Sequence, residues 1–213
     1  MIERMQATPV KRRRGVRRSF EHQFGAEYFR KFYLDPATRV VTRAEMQRRA
    51  ELIAMVLRQI QVPVRRILDA GAGIGLLQKP FAKVLPRARY TGLEFSGYLC
   101  KRYGWVHGSV ADYAAREEFD LLVCYDVLQY LDDAAAKAAI RNFSRLTRAA
   151  LYVSALTAED WRDNCDRSLT DRDVHLRPGA WYRRLLRRQF HYIGFGVWLR
   201  KGVTAILWDM ERA

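Results

Sequence analysis

The chain has 213 residues, 49% of them apolar and 12% aromatic, which is enough for one well-cored domain and short for two. No apolar run approaches the ~20 residues of a membrane helix, and this composition is not that of a disordered chain. The net charge of +15 reflects an excess of basic residues and raises a polyanionic partner as one reading.

Residues 1–20 read as a basic, disordered tail. Lys11, Arg12, Arg13, Arg14, Arg17 and Arg18 form a block that would attract nucleic acid, or would simply be solvated, since no aromatic residue is interleaved with it. Arg17-Arg18-Ser19-Phe20 looks like a twin-arginine export signal, but Glu21-His22-Gln23 follows where an apolar run is required. Residues 21–62 are expected to form a helical cap. Its first part, 24–33, is aromatic-rich, and Tyr28 and Tyr33 are candidates for covering a ligand. Thr42 and Glu45 then have the spacing of a capping box. Met46, Ala50, Ile53, Leu57 and Ile60 follow at helical spacing until Pro63.

From residue 63 to the end the pattern is α/β. Short apolar strands are predicted at 67–70, 90–94, 105–107, 119–124 and 150–153. Helices are predicted at 76–85, through 98–99, over 132–146 and over 177–190. A hairpin is predicted about Lys201-Gly202, pairing 192–199 with 203–210. Strands alternating with helices imply a Rossmann-like, mostly parallel sheet of about seven strands, with helices on both faces and an antiparallel C-terminal hairpin. Cys100, Cys124 and Cys165 are far apart with no CxxC pair, as expected of a reduced, cytoplasmic protein without structural zinc.

The strongest local signal is Asp69-Ala70-Gly71-Ala72-Gly73-Ile74-Gly75, between a strand and a helix. Glycines there let the backbone turn tightly and approach a ligand. Glu94 ends the next strand, where a carboxylate can accept from both hydroxyls of a ribose. A dinucleotide site calls for G-x-G-x-x-G, whereas Leu76 stands where the third glycine would fall. Asp69 beside the turn would repel a pyrophosphate and favour S-adenosylmethionine (AdoMet), which carries a sulfonium and an ammonium but no phosphate. An NAD-dependent oxidoreductase is the weaker reading.

These segments, with Gly108-Ser109-Val110-Ala111-Asp112 and 119–131, resemble the motifs of class I AdoMet-dependent methyltransferases, in order and spacing over residues 64 to about 155. The resemblance implies S-adenosyl-L-methionine as cofactor. It implies that Ala70, Gly71, Ala72 and Gly73 cradle the methionine end, with Gly75 closing the turn and Asp69 orienting the amino group. Glu94 would hold the ribose and Phe95 would pack on adenine. Asp112 would accept from the adenine amino group, while the backbone of Val110 and Ala111 reads the ring edge. Tyr125 and Asp126 would border the methionine and the acceptor.

Methyl transfer from a sulfonium is an in-line displacement, so positioning supplies much of the rate and no fixed catalytic signature is required. The acceptor region is expected at 160–177, with Trp161 as a binding residue. His175 or Asp126 would be the base where one is needed. Cys165, His175 and the neighbouring aspartates lack zinc-ligand spacing, so no metal is expected. No Asn/Asp-Pro-Pro-Tyr/Phe stretch follows residue 124, which counts against methylation of a base amine. The expected activity is methyl transfer to a small molecule. The alternatives are transfer to RNA or protein, aided by the basic arm, or an AdoMet-binding module without turnover.

Overall fold

The computed structural model describes residues 24–211. The basic block at residues 11–18, and with it the expected tail, lies outside the described residues. The described part begins with α1 (Ala26–Phe29), which widens into a π-helical turn at Arg30–Leu34, and continues with α2 (Arg43–Gln59). The capping box starts α2 as the spacing predicts: the Glu45 amide donates to Thr42 Oγ1 at 3.2 Å and the Thr42 amide to Glu45 Oε2 at 2.6 Å.

The alternating part runs β1 (Arg66–Ala70), α3 (Gln78–Val84), β2 (Arg89–Glu94), α4 (Gly97–Tyr103), β3 (Val106–His107), β4 (Phe119–Tyr125), α5 (Asp133–Leu146) and β5 (Thr147–Ser154). It closes with α6 (Ala158–Asp163), α7 (Gly179–Leu186), β6 (Phe190–Gly194) and β7 (Val197–Arg200). These strands form one seven-stranded sheet in the order β3-β2-β1-β4-β5-β7-β6. The first five run parallel and β7 is antiparallel to both its neighbours. The order reverses between β1 and β4, and ligands of such sheets bind beyond the strand ends at that point.

The core has two faces. Leu68, Leu122, Leu151 and Trp198 meet Ile140 and Phe143 of α5 and Leu186 of α7. Ile67, Leu121, Val123 and Leu199 meet Met46, Ile53 and Leu57 of α2 and Phe81 of α3. The helix stripe predicted for 46–60 therefore covers the sheet itself. At the end of the sheet remote from the switch point, buried Asp120 accepts from the amides of Arg65 and Arg66 (2.7 and 2.8 Å) and from Arg148 Nε (2.5 Å). The acid thereby pins the starts of β1, β4 and β5 together.

Two sequence expectations are corrected. The hairpin turns at Gly194-Phe195-Gly196, not at Lys201-Gly202. All three residues of that turn take positive φ (114°, 48° and 80°), which folds the chain back within the stretch expected to be one strand. Residues 203–208 pair with no strand, and Ile206 instead donates to the Ile60 carbonyl at the end of α2. The helix expected over 177–190 is shorter, because Pro178 is its cap and Arg177 bridges to Thr157. Among the described residues no helix is long and apolar enough to cross a membrane.

Candidate functional site

β1 delivers the chain into a turn in which Gly71, Gly73 and Gly75 have φ of 91°, 53° and 77°. Such values strain any residue with a Cβ. The amides of Gly71 and Ala72 both donate to the Leu93 carbonyl (2.8 and 3.1 Å), which fastens the turn to the end of β2. A Cβ on Gly71 would meet Val127 Cγ2 at 2.2 Å, so no side chain fits there. A Cβ on Gly73 would find only the Gly71 carbonyl, 3.9 Å away, and would project into open space.

That space is a cavity of about 300 Å³. Its floor is Gly71, Gly73, Leu93 and Glu94, and Phe95, Gly108, Ser109 and Val110 extend it toward β3. Glu94 is buried, yet each oxygen is held by a backbone amide: Oε2 by Gly73 (2.8 Å) and Oε1 by Ser96 (2.9 Å). Glu94 and the glycine turn are thus one unit.

Asp69 stands behind the turn, in a smaller adjoining cleft shared with Ala72, Gly71, Gly73, Tyr33 and Tyr125. It accepts a hydrogen bond from the Tyr90 hydroxyl. Burial pushes its carboxyl up to about 7, with Glu94's charge adding to the rise and the Tyr90 bond opposing it.

The opposite wall is aromatic. Tyr125 ends β4, Asp126 follows it, and Tyr130 comes next in a 3-10 turn at Leu128–Tyr130. Phe24, Tyr28, Phe29 and Tyr33 come from the N-terminal segment. The hydroxyls of Tyr28 and Tyr130 are 2.8 Å apart, and Phe24 packs edge-on against both rings at 5.0 and 5.3 Å. Ser96 Oγ donates to the Phe24 carbonyl at 2.8 Å. The cap is therefore tied both to the residue beside Glu94 and to the far lip. Asp126 has φ 54°, a region few non-glycine residues occupy, and Gln129 Nε2 donates to it at 3.3 Å. Burial raises its carboxyl above the usual range.

Of the residues singled out from the sequence, Gly71, Gly73, Glu94, Phe95, Val110, Tyr125, Asp126, Tyr28 and Tyr33 share this cavity. Asp69 and Ala72 lie in the adjoining cleft. Ala70 is packed into the sheet core, and Gly75 faces the Trp105 ring, which a Cβ would approach to 3.0 Å. Neither Ala111 nor the exposed Asp112 lies on the cavity wall. Trp161 and His175 are also placed off that wall. The Trp161 carbonyl accepts from Cys165 and Arg167, while His175 is exposed, its backbone anchored to Gln129 at 2.7 Å.

The sequence reading passed over two supporting residues. Trp105 Nε1 donates to the Gly73 carbonyl at 2.9 Å and its ring abuts Gly75 and Gly92, bracing the turn from outside. Arg177 is 5% exposed. It donates to Asp133 (2.7 Å), Leu128 O (3.1 Å), Leu131 O (2.5 Å) and Tyr182 (3.1 Å), fixing the loop that carries Tyr130. A buried arginine with each donor group engaged is stable only as such a hub.

The wall carries Glu94, Asp126 and Asp132, and among the described residues no Lys, Arg or His. In a chain of net charge +15 this favours a cationic, phosphate-free cofactor over a dinucleotide on the glycine turn. AdoMet fits this donor set, with open space above Gly73 for close approach and a carboxylate at the end of β2 for a ribose.

The comparisons agree. Residues 68–149 match the model of a family described as a methyltransferase domain. The solved structure of magnesium protoporphyrin IX methyltransferase from Synechocystis, with bound S-adenosylhomocysteine, superposes at a TM-score of 0.58 and 19% identity, covering 84% of this chain and 95% of that one. The N-methyltransferase NodS from Bradyrhizobium japonicum gives 0.53 at 20% identity, over 74% of this chain and 87% of the other. A sugar N-methyltransferase from a Streptoalloteichus species gives 0.57 at 18%, over 71% and 86%. At these identities the likeness is one of fold. No curated protein sequence matches significantly.

Proposed function

We propose that this chain, an AdoMet-dependent methyltransferase of the class I fold, transfers the methyl group to a small-molecule acceptor held beneath the aromatic cap. The observation that carries this reading is the cover itself. A cavity of about 300 Å³, at the small end of ligand pockets, is roofed by Phe24, Tyr28 and Tyr33 and latched to Tyr130. A polymer strand would need that roof gone, whereas a small acceptor needs only its opening. The structural neighbours named for a porphyrin and a sugar are consistent with this reading.

When bound, AdoMet supplies an already activated methyl group. The chain's own residues then position and exclude water. Gly71 and Gly73 would admit the methionine end, Asp69 would orient its amino group, and Glu94 would hold the ribose beside Phe95. The cap rings would expel water from the acceptor side, which strengthens every charge interaction within. Asp126 is our candidate base: it stands on the cavity wall in a strained backbone conformation, with its carboxyl raised by burial.

Calorimetry with AdoMet and S-adenosylhomocysteine, followed by labelled-methyl transfer to fractionated small molecules, tests the proposal. Label entering only macromolecules would overturn it. A second reading, transfer to RNA or protein, is favoured by the net charge of +15. It requires that deleting residues 1–20 weaken RNA binding and flatten its salt dependence.

A further inference from the structure

Arg49 lies in α2 and reaches the carboxyl ends of the central strands. Its Nη1 donates to the Tyr152 hydroxyl of β5. Its guanidinium sits over the Tyr125 ring at 4.2 Å and near that of Tyr152 at 5.6 Å. Among the described residues it makes no other hydrogen bond, and its Nε is buried without a partner. Among the described residues no carboxylate is within ion-pair distance of it, whereas Arg66, Arg148, Arg177 and Arg200 are each paired with an acid.

The unpaired Nε–Nη2 edge is the one through which a guanidinium grips an oxyanion side-on with two parallel bonds. The stacked rings hold the cation in place by cation–π attraction but satisfy none of those donors. A buried donor left unmade costs about 1–3 kcal/mol, more when charged, so an occupant that completes this edge is favoured. Tyr125, under the guanidinium, also walls the cavity. The nearby acid, Asp126, accepts from Gln129 and forms no ion pair with Arg49.

We infer that the acceptor bears an oxyanion, a carboxylate or a phosphate, that docks on the Nε–Nη2 edge of Arg49. The inference rests on the small-molecule reading above and adds the acceptor's chemical class. It also orients the acceptor, with its acidic end past Tyr125 at Arg49 and the remainder toward the glycine turn.

Benzoate and inorganic phosphate, titrated into the full chain saturated with S-adenosylhomocysteine and followed by ligand-observed NMR, are the direct probes. At least one should bind. Arg49→Met should weaken it tenfold or more and Arg49→Lys should do so less, with S-adenosylhomocysteine affinity held within threefold in both. Whichever probe binds separates carboxylate from phosphate. Absence of binding by both, or binding indifferent to the substitutions, overturns the inference; should the Met variant not fold, the Lys variant decides.

In the labelled-methyl assay, acceptor activity should be retained on an anion-exchange column, and phosphatase treatment should abolish retention only of a phosphate. Activity confined to the unretained fraction sinks the Arg49 assignment while leaving methyl transfer intact. Cofactor binding with no labelled small molecule sinks the small-molecule reading instead, and the titration still judges Arg49.

Discussion

The two walls of the cavity are built by opposite means. One is backbone, made of consecutive residues at the ends of β1 and β2: a turn with positive φ, amides donated to the Leu93 carbonyl, and Glu94 bonded to the Gly73 amide. The other is side chain, with rings from residues 24–33 meeting Tyr125 and Tyr130 about a hundred positions later and joined by a hydroxyl pair. The first suits a ligand that does not vary, because little about it can change without breaking the turn. The second can change a ring at a time, which suits the partner that differs between enzymes of one fold.

If that contrast is correct, the backbone wall is the brittle one. Gly71→Val should show the largest effect. Its Cβ would overlap Val127 and its φ would be strained, so both stability and cofactor affinity should collapse, the affinity by about a hundredfold or more. Calorimetry with S-adenosylhomocysteine and thermal melts would show both losses together. Glu94→Ala and Gly73→Val should each weaken cofactor binding at least tenfold, about 1.4 kcal/mol. Gly73→Val should cost less stability than Gly71→Val, since its added Cβ points into open space. Unchanged affinity in both would remove the cofactor from this turn.

The same division explains what the sequence reveals. Glycines at 71, 73 and 75 after a strand, and an acid ending the next strand, are local backbone demands and therefore stand out in the chain itself. Strands 66–70, 89–94 and 119–125 lie within about a residue of their predicted places for the same reason. Trp105 was opaque, because its role depends on Gly73, Gly75 and Gly92 coming together around one ring. Arg177 and Arg49 are single arginines in an arginine-rich chain, and only the fold shows one saturated and the other with its Nε left unbonded. His175 is a candidate base by residue type alone, yet the loop that carries it leaves it exposed. The hairpin was misplaced because Lys201-Gly202 carries a turn signal, while Gly194-Phe195-Gly196 lies inside an apolar run.

Asp69 tests the backbone wall more gently. Its carboxyl rises from 3.8 to about 7 on folding, so between those values the folded chain holds a proton that the unfolded chain has released. Stability must therefore fall as pH rises from about 4 to about 7. Asp69→Asn should remove that part of the decline in melting temperature. AdoMet binding to the wild type should tighten over the upper part of the same range, if the ionised carboxylate receives the amino group. Calorimetry in buffers of differing ionisation enthalpy would register the released proton, and a pH-independent affinity would exclude Asp69 from contact.

The aromatic wall should respond least, and in a different quantity. Tyr28→Phe keeps the ring against Phe24 and Phe32 and removes only the hydroxyl paired with Tyr130. One such bond contributes about 0.5–1.5 kcal/mol, so the shut-to-open ratio of the cap should fall roughly two- to twelvefold. The cofactor's own contacts are untouched, so S-adenosylhomocysteine affinity should stay within twofold while kcat/KM for the acceptor falls by up to that factor. Tyr130→Phe should reproduce the loss, and the double variant should add little, because both hydroxyls belong to one bond. Additive losses, or a cofactor affinity that falls with the acceptor parameter, would mean that the two walls act as one and that the cap belongs to the cofactor.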